Sequence, residues 1–417
     1  MLRETDTTTV REACESTLRR NWREGMRTVD GVPFAYTCPS PGHYPWQWYW
    51  DSCFTAITWR HFDPTRSRRE LESLLAAQRE DGFIGHTIFW NTPLTGRRRF
   101  TYNVTSPDAP MTASIQPPTL AWAWRIAVGD PAEVPAIARH YDWLARNRDL
   151  DGDGLVWIVQ PDESGLDASP QFDSIWGWRS HDRPGFLLLV RRNRRFGYDL
   201  RRIAAAGGPV CCEVATNVLY SLSLMALGRP SLTETIIERM YNRGTGLFEP
   251  LTSLARRPGR LRARRPSPRP ALTWTALSPL ALPDLPEEIG RRLVEEHLLD
   301  ERRFWLPVPP PSVPPTEPSY STREDHGFLW IRRYWRGPTW INAAWLVWLG
   351  LRRLGYQERA DTLAERISAA VLANGLREYY HPSTGRGMGA VDFAWSSLVM
   401  ELLAADPGAA ASSYLPV

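Results

Sequence analysis

The stretch YPWQWYWDSCFTAITWRH, residues 44–61, carries two signals at once. From Trp48 to His61 it is apolar nearly all round, as expected of a helix that is buried on every side. Its first nine residues place five aromatic side chains beside Gln47 and Asp51. Flat sugar rings pack on aromatic faces, and their hydroxyl groups need carboxylate and amide partners. The stretch therefore predicts an inner helix that begins at a sugar-binding site, with a tryptophan-rich core as the alternative.

Helical patterns recur along the whole chain, and few convincing strands interrupt them. Some of these helices are apolar nearly all round, and others carry one apolar stripe and a charged face. This alternation predicts an all-α fold, an (α/α)6 barrel that occupies residues 1–417 as a single domain. A helical solenoid is the alternative, but the sequence has no fixed repeat period. The predicted helices are 7–22, 48–61, 64–82, 117–129, 130–147, 212–227, 231–242, 273–282, 286–299, 338–354, 358–374 and 391–404.

Three connections are much longer than the others: 85–116, 150–210 and 301–336. In a barrel such loops collect at one rim, where they build the active site. The last of them contains the proline-rich run 307–315, which predicts a semi-rigid flap inserted at about 301–336.

The composition favours a carbohydrate site or a large helical core, and it argues against nucleic-acid binding. The 20 tryptophans suit a carbohydrate cleft or a large helical core. The 50 basic residues are all Arg, and the net charge is only +4. The clusters at 191–195 and 256–269 lack the interleaved aromatic residues of a nucleic-acid site, so we expect solvated loops there and no nucleic-acid partner.

Other features point to a cytoplasmic protein without a metal centre. The five cysteines show no metal-binding spacing and leave one unpaired, which favours a reducing compartment. The start of the chain lacks a signal-peptide pattern, and no apolar run is long enough to span a membrane. The run Asp149–Gly154 is similar to half of a calcium loop, but its twelfth position would be Gln160, so a polar turn is predicted.

Three further segments combine acidic, aromatic and glycine residues. The first, 162–170, has three acids in its first six residues and is punctuated by Gly and Pro. The second, 377–396, places an acid beside tyrosines ahead of a glycine-rich loop. The third, 334–340, sets Tyr, Trp and Arg before an apolar helix. Taken singly, each is also compatible with an ordinary acidic turn, a helix connection or core aromatic residues.

Together with residues 44–52, these segments resemble glycoside hydrolase family 63 and its trehalase relatives, which share an (α/α)6 barrel. Residues 163–170 (ESGLDASP) and 378–385 (EYYHPSTG) are similar to the loops that carry the catalytic acids of that clan. We expect no β-sandwich domain before the barrel, in contrast to the larger members of that family. The chain is therefore most similar to the small bacterial branch of mannosylglycerate and glucosylglycerate hydrolases.

The resemblance implies an inverting hydrolase without a cofactor or a metal, in which Asp167 is the general acid and Glu378 is the general base. It places Asp51 on the hydroxyl groups of the sugar. It assigns Arg202 to the glycerate carboxylate, with Arg201, Arg332 and Arg336 as the other candidates. The further residues that it places near the sugar or the glycerate are Tyr44, Trp48, Gln116, Tyr334, Trp335, Arg336 and Trp340.

The expected substrate is a glycosylglycerate, a small compatible solute. One alternative keeps the fold and replaces the substrate, giving an α-glucosidase or trehalase that acts on small oligosaccharides. Another is a sugar-binding barrel without activity. The choice between mannose and glucose stays open at this stage, and so does the assembly state, a homo-oligomer included.

Overall fold

The computed structural model describes residues 4–91, 111–177, 183–253, 263–264, 269–324, 334–403 and 414. The α-helices are Glu4–Asn21, Tyr49–Trp59, Pro64–Ala76, Leu120–Ala127, Pro135–Arg148, Asp173–Trp176, Arg183–Arg195, Leu200–Ala205, Val214–Ala226, Thr233–Met240, Glu287–Arg292, Ile341–Arg353, Gln357–Asn374 and Val399–Leu402. The tighter 3-10 helices are Pro131–Glu133, Pro161–Ser164, Pro170–Phe172, Trp274–Ala281 and Ala394–Leu398, and Leu293–Leu298 is a π-helical turn.

The strands are short and form small antiparallel pairs or ribbons among the helices. They are Trp22–Met26, Pro33–Thr37, Gln47–Trp48, Thr87–Ile88, Val210–Cys212, Tyr241–Asn242, Leu247–Phe248, Leu251–Ser253, Ala263–Arg264, Arg377–Tyr380 and Gly387–Val391. The last two form a hairpin that belongs to the site described below.

Six segments of the described chain form a closed inner ring, in which each contacts the next and the last contacts the first. They are Tyr49–Trp59, Leu120–Ala127, Val214–Ala226, Trp274–Ala281, Ile341–Arg353 and Ala394–Leu398. Every residue of Tyr49–Trp59 is buried, as the apolar sequence of this segment predicts. The predicted (α/α)6 barrel is confirmed.

Amphipathic helices cover the outside of this ring. Pro64–Ala76 packs on Tyr49–Trp59, and Gln357–Asn374 packs on Ile341–Arg353. The first of these outer helices begins as its sequence predicts, because the Asp63 side chain accepts hydrogen bonds from the backbone N–H groups of Thr65 and Arg66, both at 3.1 Å.

Aromatic side chains fill the middle of the ring. Trp122 and Trp345 stack at 5.0 Å, with Phe54 edge-on to Trp345. The buried Tyr414 ring packs on Trp345, and its backbone oxygen accepts a hydrogen bond of 2.6 Å from the Trp122 indole. Much of the tryptophan surplus therefore serves the core.

The long connection 150–210 contains helices that the sequence patterns did not reveal. The prediction of a solvated loop at 191–195 is wrong, because these arginines lie in the helix Arg183–Arg195, whose Val190 is buried against the rest of the protein. The run of charged residues hid a narrow apolar stripe. The second arginine cluster, 256–269, lies largely outside the described residues.

The proline-rich run 307–315 is mostly buried and is part of the wall of the barrel. The Val308 N–H donates to the Pro382 carbonyl at 2.7 Å, and the Ser312 N–H donates to the Pro338 carbonyl at 2.9 Å. These bonds tie the segment to Pro382 and Pro338, so residues 307–315 are packed in place.

The run Asp149–Gly154 is a polar turn, as predicted. The Asp149 carboxylate accepts from the N–H groups of Gly152 and Gly154, while Asp151 and Asp153 pair with the Arg239 guanidinium. Among the described residues, no helix is long and apolar enough to cross a membrane.

Candidate active site

A pocket opens at the rim where the inner helices begin. Asp51, in the first turn of Tyr49–Trp59, lines it and is only 4% exposed. Tyr44 and Trp48 line the same wall, with their rings edge to face at 5.8 Å. Trp46 packs instead on Phe89 at 5.3 Å, so alternate aromatic residues of this stretch serve different surfaces.

A buried ion pair anchors the second wall, the loop 161–170. Arg148 binds both carboxylate oxygens of Glu163 at 2.7 Å, and both side chains are at most 1% exposed. Glu163 also accepts from the N–H groups of Ile115 and Val159. Every oxygen of this carboxylate is thus engaged, so Glu163 fixes the loop and is not free for chemistry.

Asp167 projects into the pocket from this anchored loop. Its neighbour Ala168 has a φ of 62°, a left-handed conformation that costs energy for a residue other than glycine. At Gly165, also left-handed, a Cβ atom would lie 2.4 Å from the Trp50 ring. Only glycine lets the indole lie against the backbone, and this contact joins the loop to the aromatic stretch 44–52.

Glu378 enters from the hairpin of Arg377–Tyr380 and Gly387–Val391, with 2% of its surface exposed. The Tyr334 hydroxyl donates to its Oε1 atom, and the Ala390 N–H donates to Oε2 at 2.9 Å. Tyr334 itself lines the pocket, with its hydroxyl 3.5 Å from that of Tyr44. The hairpin thus holds a carboxylate directly behind the pocket wall.

Burial shapes the charges of the site. Desolvation raises the pKa of Asp51 well above its ordinary value, and the charge of Glu378 adds to the effect. Desolvation likewise raises the pKa of Asp162, to which the charge of Asp167 contributes. Burial lowers the pKa of His86 to about 3, so this imidazole is neutral near pH 7. Burial thus shifts the pKa of Asp51, Asp162 and His86 in the direction that favours the neutral form of each group.

Four of the residues predicted to bind substrate lie elsewhere. Trp335 and Trp340 stack on each other at 3.8 Å and are at most 1% exposed, so they form core behind the pocket. Arg336 does not line the pocket, because it binds both carboxylate oxygens of Asp173 at 2.8 and 3.0 Å. Arg202 is exposed on the helix Leu200–Ala205 and does not line the pocket either.

The remaining predicted residues reach the pocket or its immediate wall. Gln116 lines it, and its amide oxygen accepts from the Trp50 N–H at 3.0 Å. Of the other arginines considered for the glycerate, Arg201 donates to the backbone oxygen of Asp149 at 2.6 Å, and Arg332 lies outside the described residues.

Sequence reasoning missed several residues of the lining: His86, Gln160, Asp162, Phe186, Phe393 and Trp395. Trp395 packs edge-on against Trp50 at 5.1 Å and faces the pocket from the start of the last inner segment. The sequence signal that could have identified Trp395 is its position at the start of an inner segment, which is also the position of Trp50. No comparable signal marks His86 or Phe186 in the sequence.

The fold and the site define a class, the glycoside hydrolases built on an (α/α)6 barrel. Residues 44–396 match the model of the mannosylglycerate hydrolase MGH1-like glycoside hydrolase domain. The chain belongs to this family, and it is a glycoside hydrolase.

Characterised relatives span nearly the whole chain. A mannosylglycerate hydrolase of Rubrobacter radiotolerans is 29% identical, over 88% of this chain and 92% of its own length. A glucosylglycerate hydrolase of Mycolicibacterium hassiacum is 26% identical, over 87% and 92%.

The solved structures agree. The glycoside hydrolase family 63 mannosylglycerate hydrolase of Thermus thermophilus, in complex with Tris and D-glycerate, matches with a TM-score of 0.73 and 27% identity, over 94% of this chain and 99% of that one. Neutral trehalase from Saccharomyces cerevisiae, at 16% identity and a TM-score of 0.52, shares the fold.

Proposed function

We propose that this enzyme hydrolyses the α-glycosidic bond of a glycosylglycerate with inversion, releasing the free sugar and glycerate. Asp167 donates a proton to the glycosidic oxygen as the bond to the anomeric carbon breaks. Glu378 takes a proton from a water molecule that attacks that carbon from the opposite face. Asp51 binds hydroxyl groups of the sugar, and residues 1–417 form one catalytic domain.

The observation that carries this proposal is the meeting of two loops distant in sequence at one aromatic-lined pocket. Asp167 lines the pocket from the loop that Glu163 and Arg148 anchor. Glu378 stands behind Tyr334 at the same pocket. Acid and base catalysis on a glycosidic bond requires two carboxyl groups at one site, and here they come from two different elements.

The two carboxyl groups are held in ways that suit different roles. Glu378 accepts hydrogen bonds from Tyr334 and Ala390, and donors of this kind stabilise the charged form that a base must have. Asp167 lies on the loop that the buried pair of Glu163 and Arg148 anchors, so its carboxyl group is held in place at the pocket.

The choice of leaving group rests on the relatives. The matched relatives act on mannosylglycerate or glucosylglycerate according to their names, and a matched structure holds D-glycerate. Both sugars therefore remain candidates, because they differ only in the orientation of one hydroxyl group.

The direct test measures kcat/KM for the purified enzyme on α-mannosylglycerate, α-glucosylglycerate and trehalose. We expect hydrolysis of at least one of the two glycerates and little or none of trehalose. Equal or faster cleavage of trehalose would refute the assignment of the leaving group and would favour a trehalase.

The stereochemistry is tested separately by proton NMR during the first minutes of the reaction. Inversion predicts that the β-anomer of the sugar appears first and the α-anomer only by mutarotation. An α-anomer released first would contradict the proposed roles of Asp167 and Glu378.

A further inference from the structure

One carboxyl group of the pocket has no part in the chemistry described above. Asp162 lines the same pocket as Asp167, five residues before it in the chain. The side chain that follows, Glu163, turns away into the core to meet Arg148. The short helix Pro161–Ser164 thus presents one acid to the protein interior and the preceding acid to the pocket.

A chain of hydrogen bonds fixes the orientation of Asp162. Its Oδ2 atom accepts from the Gln160 amide nitrogen at 2.8 Å, and the Gln160 amide oxygen accepts from the buried Asn193 at 2.7 Å. The neutral His86 ring adds a nitrogen 3.9 Å from the same Oδ2 atom. The carboxyl group is therefore held in one position before any ligand arrives.

The other oxygen, Oδ1, is buried and has no hydrogen-bond partner among the described residues. A buried polar atom without a partner is unfavourable, and more so when it is charged. A protein that holds such an atom rigidly at a binding pocket gains by offering it to a donor on the ligand.

The position of Asp162 relative to the other acids indicates which part of the ligand it meets. Asp162 and Asp167 line the pocket from one loop, 161–170, whereas Asp51 lines it from the inner helix Tyr49–Trp59. The general acid must contact the glycosidic oxygen, so the wall that carries both Asp162 and Asp167 lies on the side of the leaving group. The wall that carries Asp51 lies on the side of the sugar.

We propose that Asp162 is a specificity residue for the leaving group. Its Oδ1 atom accepts a hydrogen bond from a hydroxyl group of the leaving group, on the carbon next to the one that carries the glycosidic oxygen. The inference rests on the proposed function and narrows its substrate class. The enzyme then selects glycosides whose leaving group carries such a hydroxymethyl group, as 2-O-linked glycerate does, over those that carry a methyl group there.

The test uses three α-glycosides of the same sugar, linked through the 2-oxygen of glycerate, glycerol or lactate. Glycerate offers both a carboxylate and the neighbouring hydroxyl, glycerol offers only hydroxyls, and lactate offers only the carboxylate. For each substrate kcat/KM is measured with the wild-type enzyme and with Asp162→Ala. Asp142→Ala removes a half-exposed carboxylate that pairs with Arg229 away from the pocket, and it is the matched control.

We expect Asp162→Ala to lower kcat/KM about tenfold to a hundredfold on the glycerate and glycerol glycosides, the effect of one hydrogen bond to a carboxyl group. The lactate glycoside should change less than about twofold, and Asp142→Ala should change none of the three. If the alanine variant does not fold, Asp162→Asn should show the same dependence on the hydroxyl group with smaller losses.

Equal losses on all three substrates would overturn the inference, because Asp162 would then act through Asp167 or the fold. Losses that follow the carboxylate in place of the hydroxyl would overturn it as well, and so would unchanged rates. A wild-type enzyme that cleaves none of the three glycosides would refute the proposed function itself, which is a different result.

Discussion

Adding one methyl group at Gly165 should damage both the stability and the activity of this enzyme. The new Cβ atom would lie 2.4 Å from the Trp50 ring, whereas carbon atoms in contact prefer about 3.5 Å, so the ring or the loop must shift by about 1 Å. Overpacking of this kind costs about 1–3 kcal/mol, and the left-handed φ of 69° costs about 1–2 kcal/mol more for alanine. Gly165→Ala should therefore lower the free energy of unfolding by about 2–5 kcal/mol.

The activity should fall because Trp50 and Gly165 both line the pocket between Asp51 and Asp167. A displacement of about 1 Å at a catalytic site can cost about a hundredfold in rate. The matched control is Gly152→Ala, because Gly152 has a similar φ of 77° and no atom within 4 Å of the added Cβ.

The assay is urea denaturation of both variants together with kcat/KM on the glycosylglycerate substrate. The control should lose only the backbone cost of about 1–2 kcal/mol and keep its activity. If Gly165→Ala matched the control in both measurements, the argument that the bare backbone seats Trp50 would be refuted.

Two further predictions rest on the same kind of geometry. Gly389→Ala would place a Cβ atom 2.6 Å from a carboxylate oxygen of Glu378, so kcat should fall at least tenfold in a kinetic assay. The control is Gly385→Ala, because Gly385 is also left-handed and the nearest atom to its added Cβ is 3.6 Å away, so its kcat should stay close to wild type. Equal kcat values for the two variants would contradict the prediction. Burial raises the pKa of Glu70 from 4.5 to about 7, so the folded state holds that proton more tightly than the unfolded state does. The protein therefore loses stability as the pH rises from about 4.5 to about 7, by about 3 kcal/mol in total at about 1.4 kcal/mol per pH unit. Relative to Glu70→Gln, the wild type should lose that amount in urea titrations between pH 4 and pH 8, and parallel curves would refute the assignment.

The fold could be predicted because the sequences of its inner helices are apolar nearly all round. A helix such as Tyr49–Trp59, which is apolar on every side, is stable only where other helices surround it, at the centre of a helical protein. The helix Arg183–Arg195 was missed for the opposite reason, since its arginines dominate the pattern and leave a narrow apolar stripe. Proline content predicts that residues 307–315 are stiff, but it does not show which neighbours hold them, and in the structure backbone hydrogen bonds and burial fix this segment.

The site was only partly predictable, for a related physical reason. Motifs located Asp51, Asp167 and Glu378 at or behind one pocket, because loops at one rim must meet. Motifs cannot separate an aromatic ring that faces a ligand from one that faces the core. Trp335 and Trp340 follow Tyr334 closely in sequence, yet only Tyr334 lines the pocket and the two indoles stack behind it.

The most direct test of the account measures kcat for Asp167→Asn and Glu378→Gln on the glycosylglycerate that the wild type cleaves. Loss of a general acid or base costs about a hundredfold to ten-thousandfold, so each variant should lose at least a hundredfold while melting close to the wild-type temperature. A folded variant of either kind that keeps a rate within tenfold of wild type would contradict the assignment of acid and base.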